Sequence, residues 1–314
     1  MISPGRLLYL LWHKPRAELR QCLADGGPFE QWQTWRGRVA MERAAASLPA
    51  AASAGGPPLE IYLLTGRRFW YQTAFCLWSF ARHAGRGLAP VILDDGSLTE
   101  ENRAQLRRLF PATRFCGKPE QEARLHAVLP AGRFPRLHDR WRHYPHIRKL
   151  TGPHLGAAGW KLVLDSDLLF FRRPRFILDW LAAPGRPLHA VDIATAYGYA
   201  TELLNRVAGA PLTARVNVGL TGLNSGELDW ERIEHWCDRL IGEAGTHYYL
   251  EQALVAMLTA GRPCAIAPEA DYVTLPRPPE ADECRAVMHH YVAGSKLWYF
   301  RHNWRRVLAR PVSA

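Results

Sequence analysis

The chain has 314 residues, of which 48% are hydrophobic and 22% charged, a balance that excludes a disordered chain and leaves room for one sizeable core or a core with an appendage. Its formal net charge of +11 points to an anionic partner (a nucleotide, a membrane surface or a nucleic acid) without choosing among them. The six cysteines are scattered, with no CxxC and no short Cys/His spacing, which argues against a zinc site and reads as reduced thiols in a cytoplasmic protein.

At the start of the chain, the apolar run LLYLLW at 7–12 is too short to span a membrane and carries no cleavage-site pattern. With the basic residues around it, the run is a candidate for peripheral membrane contact. Residues 6–45 read as helical, interrupted at Gly26-Gly27. Residues 44–58, AAASLPAAASAGGPP, are small in composition and read as a linker. The organisation expected is therefore an N-terminal helical extension over 1–56 and a main domain over 57–314.

The pattern then changes. LEIYLL at 59–64 predicts a buried strand and 69–83 a helix, and APVIL at 89–93 predicts a second strand running into Asp94-Asp95-Gly96-Ser97. TEENRAQLRRL at 99–109 has acids first, bases last, and Leu106 and Leu109 three apart, as a helix requires. A third strand is expected at 112–116, a helix at 144–155, and a fourth strand at 160–164, WKLVL. Strands alternating with helices predict an α/β fold with a mostly parallel sheet, in which ligands bind beyond the carboxyl ends of the strands. The chemistry is then expected just after Leu64, Leu93 and Leu164.

The third of these places carries Asp165-Ser166-Asp167. Residues i and i+2 of an extended chain project to the same side, so two carboxylates meet at the end of an apolar strand and repel each other unless a cation lies between them. Oxygen ligands of this kind suit Mg²⁺ or Mn²⁺, and a divalent ion there could stabilise a diphosphate leaving group. The plain alternative is that the pair caps a turn. Far along the chain, HHYVAGSKLW at 289–298 adds a neutral imidazole, a good Mn²⁺ ligand, and a lysine whose ammonium suits phosphate. His290 is preferred over His289, because only one of two adjacent strand residues can face the site.

KLVLDSDLLFFRRP resembles the DxD region of glycosyltransferases of the GT-A fold, and 59–305 follow the order of elements of that fold. The late segment resembles the HxxGxxKPW segment of glycosyltransferase family 8, with His290, Lys296 and Trp298 in place, Gly294 one position late, Ala293 where the glycine usually stands, and Leu297 for the proline. The resemblance implies a Rossmann-like GT-A sheet and a metal-dependent hexosyltransferase, retaining at the anomeric carbon, that uses a nucleoside diphosphate sugar, UDP above all. It implies a metal held by Asp165, Asp167 and His290, with Ser166, Gly294 and Lys296 at the diphosphate. Asn217 and Gly219 of the Asn-x-Gly segment are implied near the donor sugar, and Glu251 at substrate hydroxyls. Thr65, Arg67, Asp94 and Asp95 are implied near the nucleoside, and Lys149 facing the donor. The acceptor (glycan, lipid or protein) is not readable.

Residues 133–149 hold six Arg/Lys, three His and one acid, with Trp141 and Tyr144 interleaved. They read as an anion-binding loop or as a solvated basic loop. Two other functions compete. A nucleotidyltransferase on a related scaffold would need a Gly-rich basic loop after the first strand, and Thr65-Gly66-Arg67-Arg68 is a poor one. A nucleic-acid-binding protein would fit the charge, but no helix-turn-helix, zinc-finger or RNP-like signature is present, so no nucleic acid is expected.

Overall fold

A computed structural model describes residues 26–51 and 55–309. The apolar run at 7–12 and the first part of the expected N-terminal helix lie outside the described residues. Helix α1, Pro28–Ala46, starts directly after Gly27, whose φ of 94° suits only glycine. The expected linker is different at its start. α1 runs into it as far as Ala46, because alanines favour helix, and Leu48 is buried beyond it. Arg108 donates to the Leu48 carbonyl at 2.6 Å, and the Ala51 amide donates to Leu109 at 3.0 Å. Met41, Ala45 and Leu48 belong to the same apolar cluster as the central helix Trp70–Ala84. Gly37 lets α1 approach the Phe300 carbonyl so closely that a side chain there would collide with it.

Seven strands form the main sheet in the order β3 (Arg114–Cys116), β2 (Leu88–Asp94), β1 (Leu59–Thr65), β4 (Trp160–Leu164), β7 (Val216–Asn224), β6 (Leu188–Val191) and β8 (Ala265–Ile266). The first three arrive with their helices: β1 (Leu59–Thr65), α2 (Trp70–Ala84), β2 (Leu88–Asp94), α3 (Glu100–Leu109) and β3 (Arg114–Cys116). Then come α4 (Lys118–Val128), α5 (Pro135–His143), a 3₁₀ turn at Pro145–Ile147, α6 (Arg148–His154) and β4 (Trp160–Leu164). β1 pairs in parallel with β2 and β4, and β2 with β3, as alternating strand and helix predict. The expected strands are found within two residues of their ends. The helix expected over 99–109 is α3, and Thr99 is its cap, the hydroxyl accepting from the Asn102 amide at 3.2 Å.

The chain continues through β5 (Leu168–Phe170), α7 (Arg175–Ala182), β6 (Leu188–Val191), α8 (Thr201–Ala208), β7 (Val216–Asn224), α9 (Trp230–Ala244) and α10 (Leu250–Thr259). It ends in β8 (Ala265–Ile266), β9 (Tyr272–Thr274), α11 (Pro278–Glu283), β10 (Met288–His290), a short α12 (Lys296–Trp298), a π turn at Tyr299–Asn303 and α13 (Trp304–Ala309). β7 runs antiparallel to β4 and β6. Its first residues therefore lie at the same edge of the sheet as the end of β4. β5, β10 and β9 make a separate three-stranded sheet.

α2 is buried on nearly every side, as its WYQTAFCLWSFARHA composition demands. It braces the start of the small sheet: the Phe170 amide donates to Ser79 Oγ at 3.1 Å, and Cys76 Sγ donates to the Asp165 carbonyl at 3.5 Å. A second apolar cluster, centred on Trp141, Trp236 and Leu254, packs α5, α9 and α10 together with Val216 and Val218 of β7. Among the described residues, no helix is long and apolar enough to cross a membrane.

Two measurements test this packing. Gly37→Ala must displace α1 from the Phe300 carbonyl, and a loss of about 1–3 kcal/mol in chemical denaturation is expected; an unchanged midpoint would show that α1 does not pack this closely. The second concerns His154, which is buried with Nδ1 2.9 Å from Ser225 Oγ. Burial, with Lys161 adding to it, pushes its pKa from 6.5 down to about 3. The unfolded chain takes up a proton below 6.5 that the folded chain refuses, so this stability is whole above 6.5 and drains away as the pH falls towards 3. His154→Gln should flatten the fall of the unfolding temperature with acid, and an identical slope in the variant would contradict the assignment.

Candidate active site

A cleft of about 930 Å³ opens at the carboxyl edge of the parallel strands. Its wall takes Thr65 from the end of β1, Asp95 from just past β2, Asp165, Ser166 and Asp167 from just past β4, and Asn217 and Gly219 from the start of β7. These are the three places where the sequence predicts chemistry, joined by β7. Glu251 and Gln252 enter from α10, and His290 and Lys296 from the far end of the chain.

His290 arrives through strand register. β5 begins one residue after Asp167, and β10 pairs with it antiparallel, setting His290 opposite Leu168. The Tyr291 amide then donates to the Asp167 carbonyl at 3.0 Å. His290 Nε2 lies 3.3 Å from Asp167 Oδ1 and 3.7 Å from Asp165 Oδ2. His289 points the other way, against the Phe171 ring and the Tyr291 hydroxyl, as strand alternation requires.

The Asn217 amide fixes which nitrogen of His290 carries a proton. Its Nδ2 donates to the Asp192 carboxylate at 3.1 Å, which can only accept, so Oδ1 must face the other way. Oδ1 accepts from the Gly219 amide at 2.9 Å and lies 3.1 Å from His290 Nδ1. Facing an acceptor, Nδ1 must be the donor, which leaves Nε2 of the neutral ring with its lone pair aimed at the two aspartates. That nitrogen is buried and has no hydrogen-bond partner. Gly219 makes the approach feasible, because a side chain there would overlap the His290 ring. Asn217 thus supports His290 from behind.

Two lysines balance the carboxylates. Lys149 is buried, with Nζ 2.7 Å from Asp165 Oδ1, 3.1 Å from the Val218 carbonyl and 3.4 Å from Glu251 Oε2. Its three N–H groups are fully used. Burial opposes its charge, but Asp165 and Glu251 outweigh burial and hold its pKa above the ordinary lysine value. Lys296, 41% exposed at the cleft, lies 3.2 Å from Asp167 Oδ2. Burial raises the pKa of Asp167, yet His290 and Lys296 together hold it well below the usual carboxylate range. Burial likewise opposes a charged His290, and the Asp167 and Asp165 carboxylates reverse this, lifting its pKa. Glu251 is pushed up to about 7 by burial, with Lys149 opposing and Asp165 adding.

Asp165, Asp167 and His290 can each offer a ligand atom, all within 4.8 Å of one another. Two oxygens and an imidazole nitrogen suit Mn²⁺ or Mg²⁺. A buried Nε2 that makes no hydrogen bond and faces two carboxylates fits such an ion.

Other expectations are corrected. Asp94 is buried and turned away from the cleft, accepting from the Gly96 amide at 2.8 Å and from Arg103 at 2.6 Å. It serves the turn, and Asp95 alone of the pair lines the cleft. Arg67 is exposed and does not line the cleft, its amide donating to Ser97 Oγ at 2.9 Å. Gly294 is exposed and off the wall, whereas Ala293 lines it with φ of 43°, a left-handed conformation that glycine adopts without strain. The basic stretch 133–149 is largely a helix rather than a loop. Arg133 pairs with Glu231, Arg136 with Asp238 at 2.7 Å, and Arg140 with Asp139, while Arg148 is buried on the Trp141 ring.

Sequence reasoning missed Asp192 and Gln252. Asp192 follows β6, and its Oδ2 accepts from both Asn217 and Gln252, each at 3.1 Å. A carboxylate just past a strand was the available signal, but LHAV at 188–191 is too short an apolar run to stand out.

Neither the family models nor the curated proteins compared with the sequence give a match. Among solved structures, the fold matches the galactosyltransferase LgtC in complex with donor and acceptor sugar analogues at 17% identity and a TM-score of 0.53, covering 80% of this chain and 94% of that one. It also matches mouse xyloside xylosyltransferase 1, apo form, at 12% identity and a TM-score of 0.50, covering 75% of this chain and 98% of that one. At these identities the likeness is one of fold: the chain has the GT-A architecture expected from its sequence.

If Asn217 orients His290, then Asn217→Ala should weaken Mn²⁺ binding by about 10–100-fold in a calorimetric titration while the protein stays folded. Unchanged affinity would remove Asn217 from the site.

Proposed function

We propose that this protein is a metal-dependent glycosyltransferase that moves a sugar from a uridine diphosphate sugar to an acceptor hydroxyl, with retention at the anomeric carbon. One observation carries the reading: the buried Nε2 of His290, which makes no hydrogen bond, faces Asp165 and Asp167 at the ligand-binding edge of the sheet. The fold shared with solved glycosyltransferases supports it.

Bound by Asp165, Asp167 and His290, Mn²⁺ or Mg²⁺ would act as a Lewis acid on the diphosphate. The residues around that site divide the remaining work. Lys296, at the cleft surface beside Asp167, adds positive charge to the departing diphosphate. Ser166 lies between the two aspartates and meets the same group. Lys149 is too buried and too fully used to grip the donor freely, and its role is to hold Asp165 and Glu251 in place. Thr65 and Asp95, with the Phe69 ring beside them on the wall, receive the nucleoside. Asp192, Glu251 and Gln252 offer carboxylate and amide groups to the hydroxyls of the donor sugar.

A nucleotidyltransferase would have to hold a triphosphate with the turn after β1. That turn contains one glycine, and its Arg67 is exposed, off the cleft wall. The observations therefore favour a diphosphate donor.

Incubation with a panel of UDP-sugars should release UDP only when Mn²⁺ or Mg²⁺ is present. Asp167→Asn should lower that rate by about a hundredfold or more while leaving the fold intact, because it removes a charge at the leaving group. Full activity of Asp167→Asn in excess chelator would sink the proposal.

A further inference from the structure

Helix α1 packs one side against the body of the protein and leaves an aromatic side open. Successive helical residues turn by about 100°, so Gly37, Met41 and Ala45 fall on one side, and all three are buried. Phe29, Trp32 and Trp35 fall on the opposite side and are 63%, 47% and 58% exposed. Phe29 stacks on Trp32 with ring centroids 5.9 Å apart, and the Arg36 guanidinium lies 4.7 Å over the Trp32 ring. Rings and cation therefore form one patch.

The helix that bears the rings is pinned along its inner side. Arg301, from the π turn, binds the Glu30 carboxylate and donates to Thr34 Oγ1 at 2.9 Å. Gly37 meets the Phe300 carbonyl, and the Arg38 guanidinium lies 4.7 Å over the Phe300 ring. Trp70 Nε1 donates to Glu42 at 3.1 Å. These contacts place α1 beside the cleft. Phe300 comes just after Lys296 and Trp70 just after Phe69, and Lys296 and Phe69 line the cleft wall.

The charge of the patch selects its partner. Both acids of α1 are engaged, Glu30 by Arg301 and Glu42 by Trp70. Arg36 and Arg43 stand exposed on the aromatic side, with no carboxylate of the described residues in ion-pair reach. Tryptophan and phenylalanine beside arginine suit the boundary between lipid headgroups and acyl chains, where the ring meets apolar chains and the guanidinium meets phosphate. The sequence leading into α1 has the same character, since LLYLLW at 7–12 stands among Arg6, Lys14, Arg16 and Arg20. A second copy of the chain fits worse, because a two-fold contact through this side would press one basic patch against another.

We infer that the outward side of α1 docks on an anionic lipid surface, with Phe29, Trp32 and Trp35 entering the headgroup region and Arg36 and Arg43 against lipid phosphates. The contact holds the cleft wall at Phe69 and Lys296 near the bilayer. It is independent of the chemistry inside the cleft.

Co-sedimentation of the full chain with phosphatidylcholine vesicles, with and without phosphatidylglycerol, provides the test. Binding should require phosphatidylglycerol and fall as salt rises. Trp32→Ala/Trp35→Ala should weaken it by about tenfold or more, since two interfacial rings are lost. Arg36→Gln/Arg43→Gln should weaken it by about tenfold and flatten its salt dependence. All four side chains are exposed, so the unfolding midpoints of both pairs should stay close to that of the unsubstituted protein. Trp32→Phe/Trp35→Phe keeps a ring at each position and should still bind, while bromolipids should quench its tryptophan fluorescence less than they quench the unsubstituted protein. No binding to the anionic vesicles, equal binding in the alanine pair, or equal bromolipid quenching in the phenylalanine pair would overturn the inference. A dimer in analytical ultracentrifugation that the alanine pair abolishes would overturn it too, by giving the patch to a second copy.

Discussion

Two carboxylates at the buried end of β4 set the terms for everything around them. Asp165 and Asp167 project to one side, partly shielded from water, and like charges so placed repel strongly unless positive groups surround them. Lys149 approaches from α6, Lys296 from the segment after β10, and His290 from β10 itself. Each comes from a different part of the chain, so the local charge problem becomes a tertiary constraint. The small sheet exists at this spot because β10 must reach β5, which starts where the aspartates end.

The same constraint explains the supporting shell. An imidazole between two carboxylates needs a fixed tautomer and a fixed angle, and Asn217 supplies both while Asp192 fixes Asn217. Gln252 shares the Asp192 carboxylate, so α10, β6, β7 and β10 are joined through one polar network. Gly219 sits at its centre. Its amide binds Asn217, its carbonyl accepts from the Asp165 amide at 2.8 Å, and its missing side chain makes room for His290. Buried networks of this kind are stable only when each member is satisfied, and the bare Nε2 of His290 is the exception that points to an ion.

Much of this was legible in the sequence, and the reasons are physical. Strands buried on both faces read as continuous apolar runs, so β1, β2 and β4 stood out, and the rule that ligands gather past their carboxyl ends located the cleft. Alternation along a strand separated His290 from His289. The same rule, applied to Asp94 and Asp95, separates the buried turn residue from the one in the cleft. Other features were hidden because they depend on distant pairing. Nothing local to Asn217 shows that its amide lies behind His290, and nothing local to LHAV at 188–191 marks the strand that delivers Asp192. Composition misled at 44–48, where small residues extend a helix and Leu48 anchors it. The displaced glycine of the late segment was visible, but its consequence was not: Ala293 takes the left-handed turn.

A divalent cation held jointly by Asp165, Asp167 and His290 is what the proposed function requires. Electron spin-echo spectroscopy of Mn²⁺ bound to the protein addresses it directly, because a coordinated imidazole nitrogen modulates the echo. Modulation from one directly bound nitrogen that disappears in His290→Gln is expected. Mn²⁺ bound with no nitrogen coupling, or with a coupling that survives in His290→Gln, would contradict it.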